Sequence, residues 1–124
     1  SAVATGKSSD YFASAKLRRN SAHDEAAETL NKVIKDSSSD ASAVKEATAA
    51  LKALSNAIKL EGDIEVLIKA KTGGDCVVII NNNSAEVIVA KGALNDTVIL
   101  QIKEIVLKQT GFSAENITIV ELSS

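Results

Sequence analysis

Few side chains in this sequence of 124 residues could do chemistry, and their spacing says what kind. There is one histidine, His23, and one cysteine, Cys76. A lone cysteine excludes a disulfide framework and any multi-cysteine metal site. His23 stands beside Asp24, Glu25 and Glu28, a set that could touch a metal. One histidine on one polar helix face makes a weak site, and it reads as a surface residue. Cys76 opens an apolar run and reads as a small packed hydrophobe rather than a reactive thiol. Gly6-Lys7-Ser8 has the form of a phosphate-loop tail. The glycine that loop needs five positions earlier is Ser1, and no strand precedes it. Asn82, Asn95 and Asn116 each begin an Asn-x-Ser/Thr triplet, which matters only in a eukaryotic secretory pathway. With no paired acid and base and no activated nucleophile, the sequence predicts no enzyme, cofactor, metal or small-molecule substrate.

Two further groups could serve contacts rather than reactions. Lys16, Arg18 and Arg19 form a short basic cluster without interleaved aromatics. It reads as a solvated face, with a partner contact as the alternative. The net charge of −2 gives no bulk reason to expect nucleic acid.

The elements that must position these residues differ between the halves of the chain. Residues 1–62 hold ten Ile, Leu and Val against twenty-three in residues 63–124, while alanine runs fourteen against five. Large aliphatic side chains build cores, whereas alanine favours helix and buries little area. The second half is therefore the packed unit and the first half is helical material. Residues 1–9 read as a disordered leader, 10–61 as a helical region, and 62–124 as the compact unit. With no methionine, the sequence is expected to be a piece of a longer chain.

Asp10 is a candidate N-cap for a first helix. Its polar stretch from Lys16 to Glu25 is expected to face solvent or a partner. Asp36-Ser37-Ser38-Ser39-Asp40 is a loop ending in a second N-cap. Val44, Ala47, Leu51, Leu54 and Ile58 follow as a low-volume amphipathic seam. Glu61-Gly62-Asp63 predicts a kink or break, since an interior glycine costs about 1 kcal/mol against alanine. Ile64, Leu67 and Ile68 resume the helical spacing until Gly73-Gly74 stops it. The run from Cys76 to Ile80 is continuous and β-branched, which suits a strand covered on both faces. The asparagines at 81–83 make a hairpin turn, residues 85–91 return, a helix spans about 94–110 with Gly111 as its cap, and residues 116–122 alternate as a last strand.

The fold class expected is α+β: an αββαβ unit whose three-stranded sheet packs on helices, preceded by two N-terminal helices. Strand order second-first-third is predicted, with helices on one face. Val77 and Ile79 would then line an uncovered apolar strip, and two sheet edges would be open to nearby subunits. In the last helix, Leu100 and Leu107 lie among Asp96, Lys103 and Glu104, away from the core face. That stripe is either an interface or is covered by the N-terminal helices. The candidate interface residues are thus Leu100, Leu107, Lys103, Val77, Ile79, Arg18 and Arg19. A KH-like RNA-binding module has the same element order and is the alternative. It needs a Gly-x-x-Gly loop between two helices, whereas here the glycines are adjacent.

Residues 50–122 carry an ordered series that resembles the bacterial stage III sporulation protein AH family. The series begins with Leu51 and Leu54, Leu60-Glu61-Gly62, and Ile64-Glu65 leading to Leu67-Ile68-Lys69-Ala70-Lys71 and Gly73. It continues through Asp75-Cys76-Val77-Val78, the Asn-rich turn and Val87-Ile88-Val89-Ala90-Lys91. It closes with Gln101-Ile102-Lys103-Glu104-Ile105-Val106 and Thr110-Gly111-Phe112-Ser113-Ala114-Glu115-Asn116-Ile117. Asp10-Tyr11-Phe12 and Leu17-Arg18-Arg19 look like that family's membrane-proximal segment. Gly74 departs from the pattern, which places an aromatic there. The resemblance implies a ring-building fold similar to inner-membrane ring proteins of type III secretion systems, and no catalysis. It implies a single-pass anchor in the mother-cell membrane, preceding this sequence, and a domain lying between the two membranes around the forespore. It also implies binding to the forespore protein stage II sporulation protein Q, and self-association into a ring within a channel-like complex.

Overall fold

A computed structural model describes the backbone of residues 2–124 and side chains from Ser9 onward. Among the described residues there are three α-helices and three strands: α1 (Ala2–Lys35), α2 (Ala41–Thr72), β1 (Cys76–Asn81), β2 (Ser84–Val89), α3 (Asp96–Thr110) and β3 (Ile117–Glu121). The disordered leader expected over residues 1–9 is not observed in the described backbone, which is helical from Ala2. Since α1 is helical from Ala2, Asp10 is interior to it and is not its cap.

The expected caps appear at the other ends. The Asp40 carboxylate accepts the Ala43 N–H at 2.7 Å, satisfying one of the free donors of the first turn of α2. Gly73 and Gly111 close α2 and α3 at φ 79° and 73°, a left-handed conformation that side chains disfavour. Asn82 turns the β1–β2 hairpin at φ 57°.

Three expectations about architecture are corrected. First, α2 runs unbroken through Gly62, so the boundary placed at 61/62 lies inside one helix and the order is ααββαβ. The cost of the interior glycine is outweighed by burial of Ile64 and Ile68 in the turns that follow it. Second, the strand order is β1-β2-β3, with β1–β2 antiparallel and β2–β3 parallel. The apolar run of β1 reflects burial on both faces, not a central place in the ladder. Third, helices cover both faces. Ile64 and Ile68 of α2 and Ile102 and Val106 of α3 pack on the face carrying Cys76, Val78, Ile80, Val87 and Ile117. Phe12 and Ala15 of α1 pack on Val77 and Ile88 of the opposite face.

Candidate functional site

The residues with the most chemistry meet where α1, α2 and β1 converge. Arg19 and His23, one turn apart on α1, face Glu61 and Glu65, one turn apart on α2. The Arg19 guanidinium lies 2.6 Å from Glu65 Oε2 and 3.4 Å from Glu61 Oε1. His23 Nε2 is 2.8 Å from Glu61 Oε1. The carboxylates then reach the strand. Glu65 Oε2 accepts the Val78 N–H at 2.8 Å, and Glu61 Oε2 accepts the Ile80 N–H at 2.9 Å. Arg19 donates to the Val78 carbonyl at 2.7 Å.

This geometry follows from matched spacings. Outward-facing N–H groups two residues apart on a strand are about 6.7 Å apart. Glutamates four apart on a helix rise about 6 Å. The short Gly73–Asp75 connection returns β1 antiparallel to α2, so Glu65 meets Val78 and Glu61 meets Ile80. An edge that would offer free donors to another strand is closed by carboxylates. The cluster is structural: among the described residues no buried side-chain nitrogen or oxygen lacks a partner.

Several sequence expectations are revised by this cluster. His23 is a half-buried bridge between helices rather than a surface residue. Within the stretch from Lys16 to Glu25, Lys16, Arg19 and His23 tie α1 to the rest of the fold, while the other residues are exposed as expected. Arg19 is spent inside, with its side chain 11% exposed, and is not a free contact residue. Lys16 pairs with Asp75 at 3.2 Å. Arg18 alone of the basic trio is exposed, donating to Ser14 Oγ. Cys76 packs as expected, and burial, with the Glu65 carboxylate adding to it, pushes its thiol up to about 12. Such a thiol is a poor nucleophile.

The remaining candidates divide by exposure. Val77 is fully buried under α1, so the uncovered apolar strip is not present there, and Ile79 is half-buried beside it. Leu107 packs partly on the core. Leu100 is 58% exposed and Lys103 is exposed, so the α3 stripe shrinks to its N-terminal part and the N-terminal helices do not cover Leu100. The outer edge of β3 pairs with no strand among the described residues, and Val120 beside it is 38% exposed. No helix among the described residues is long and apolar enough to cross a membrane.

Comparison with known proteins places this arrangement. The fold matches one chain of the SpoIIQ-SpoIIIAH pore-forming complex with a TM-score of 0.81 at 22% identity, over 92% of this chain and 98% of that one. It also matches the type III secretion system protein EscJ of enteropathogenic E. coli. There the TM-score is 0.51 at 32% identity, over 60% of this chain and 52% of that one. The αββαβ ring-building type of fold is thereby the fold of this chain. No curated protein matches it in sequence. The family model described as SpoIIIAH-like protein matches residues 1–119, and the chain belongs to that family.

Proposed function

We propose that this chain is a non-enzymatic scaffold of the channel complex that joins mother cell and forespore during endospore formation. In this reading it binds a SpoIIQ-type forespore protein and associates with copies of itself in a ring. The match of the SpoIIIAH-like model to residues 1–119 carries the proposal. The likeness in fold to a chain of the SpoIIQ-SpoIIIAH complex and to EscJ supports it. The domain would lie between the two membranes, held to the mother-cell membrane by a helix preceding it.

The surfaces for these contacts are the outer edge of β3 and the face of α3 with Leu100 and Lys103. An open strand edge offers main-chain donors and acceptors to an incoming strand, and a solvent-facing leucine adds area lost from water on contact. The test is co-purification with the forespore partner. Leu100→Glu should leave the unfolding free energy from urea denaturation within about 0.5 kcal/mol of the parent, because the side chain is exposed, and should weaken assembly. Unchanged assembly removes α3 from the contact, and failure of the parent chain to capture the partner refutes the scaffold reading. Changing Leu107 as well would confuse the result, since it packs on the core.

A further inference from the structure

A groove of about 860 Å³ opens between the α1–α2 hairpin and the β1–β2 turn. Ala22 and Ala26 of α1 and Ala53 and Ala57 of α2 form its walls, with Ile79 on its floor. Small side chains on both walls let the ridge of another helix come close. Its charge has one sign. Arg18, Arg19 and His23 line it, and no carboxylate does. Arg19 and His23 are already held by Glu61 and Glu65. Arg18 has no carboxylate partner among the described residues; its guanidinium meets only Ser14 Oγ, at 2.9 Å.

The complement stands elsewhere on the same chain. Asp96, Leu100 and Glu104 are four apart on α3 and form one row on its solvent side. All three are exposed, and neither carboxylate has a cation partner among the described residues. Lys103 lies to one side of that row. The opposite side of α3 is sunk in the core through Ile102 and Val106. An apolar groove with an unpaired cation thus exists alongside a row in which one exposed leucine lies between two unpaired carboxylates, with Lys103 at its flank and Lys108 one turn beyond its end.

We infer that the groove receives the α3 row of a second copy of this chain, with Arg18 against Glu104 and Leu100 between the alanines. The inference rests on the scaffold reading and names its self-association contact. A two-fold groove-to-groove contact would set Arg18 against Arg18, so like charges disfavour it. Groove and row are different surfaces, so the contact is head-to-tail and repeats from copy to copy. Such a contact closes into a ring when the rotation allows.

The test tethers the 124-residue chain to nickel-chelating vesicles through an N-terminal histidine tag, which raises its local concentration. A chain carrying Ala26→Cys and Leu100→Cys is then oxidised. Buried Cys76 stays silent in this assay. The expected result is a ladder of covalent dimers, trimers and longer species, with none from either single variant. Adding Arg18→Glu should cut the ladder several-fold, and adding Glu104→Arg to that should restore it. No ladder, or dimers from one single variant alone, overturns the head-to-tail contact. Capture of the forespore partner by the parent chain is measured separately. If capture persists without a ladder, only this contact falls; if capture is lost, the scaffold reading falls with it.

Discussion

Removing the Glu61 carboxylate is the sharpest perturbation of this fold. Its side chain is 1% exposed and accepts the Ile80 N–H at 2.9 Å while facing His23 at 2.8 Å and Arg19 at 3.4 Å. Glu61→Ala leaves the Ile80 donor buried and unpaired, which costs about 1–3 kcal/mol. It also strips an anion from Arg19 and His23. Breaking a buried pair costs about 3–5 kcal/mol when nothing replaces the partner. Arg19 keeps Glu65 and the Val78 carbonyl, so only part of that applies. We expect a total of about 3–4 kcal/mol. Glu61→Gln keeps an oxygen for Ile80 and the same volume, and loses only the charge, for about 1–2 kcal/mol. A domain stable by about 5–15 kcal/mol stays folded with either change. Urea unfolding with an unchanged slope measures both, and amide exchange at Ile80 should quicken far more in the alanine variant. A loss under about 1 kcal/mol for Glu61→Ala, or equal losses for the two variants, would refute the reasoning.

Two other perturbations test separate parts of the fold. At Gly62, within continuous α2, an added Cβ meets nothing within 4 Å and φ is not positive. Gly62→Ala should therefore raise stability by about 0.5–1 kcal/mol in thermal unfolding, and a loss would mean the glycine is required. The folded Cys76 thiol holds its proton to about 12, against an ordinary value of 9.0. Its contribution to stability is complete below pH 9 and is lost as pH rises through 12, because the unfolded chain releases that proton first. By pH 10 the parent should lose about 1.4 kcal/mol relative to pH 8. A Cys76→Ala variant should lose correspondingly less over the same range, and equal losses would exclude the thiol as the cause.

Most caps were legible because each is a local signal; Asp10 is the exception, because α1 extends past it toward the N-terminus. Asp40, Gly73, Asn82 and Gly111 need only their own backbone neighbours to be read, and each closes or turns its element as expected. The strand order was not legible, because an apolar run reports burial of the two faces and is blind to the hydrogen-bonding direction. Here that direction is closed by side chains from two helices, which no strand pattern records. The signal for the cluster is present in the sequence but takes the form of a helix-breaking pattern at Glu61-Gly62-Asp63. Glu61 falls on the same helical arc as Ala57, Ile64 and Ile68, and an acid inside an apolar arc is a buried acid in want of donors. Taking Glu61-Gly62-Asp63 as an interruption concealed that arc. The exposed Leu100 was found from periodicity alone. The coverage of Val77 was not, since it depends on Phe12, far away in sequence.

The same cluster explains how an alanine-rich helical hairpin can hold a fixed pose on the sheet. The seam between α1 and α2 is built largely of small residues, and Ala47 is its one fully buried member in the first half of α2. Small side chains interlock weakly, so such a seam would tolerate a slip of one turn with little loss of buried area. The ionic cluster does not tolerate it. Moving α1 by a turn would carry Arg19 away from Glu65 and the Val78 carbonyl, leaving charges buried without partners. Glu61 and Glu65 are in turn held by the N–H groups of Ile80 and Val78, so the register of α1 on α2 is tied to that of α2 on β1. A buried ionic cluster is a poor source of net stability compared with a well-packed apolar one. Its place at this junction is better understood as fixing one arrangement of hairpin and sheet. The groove walls, Arg18 and the row on α3 keep their relative positions only in that arrangement, and a repeating head-to-tail contact needs them to.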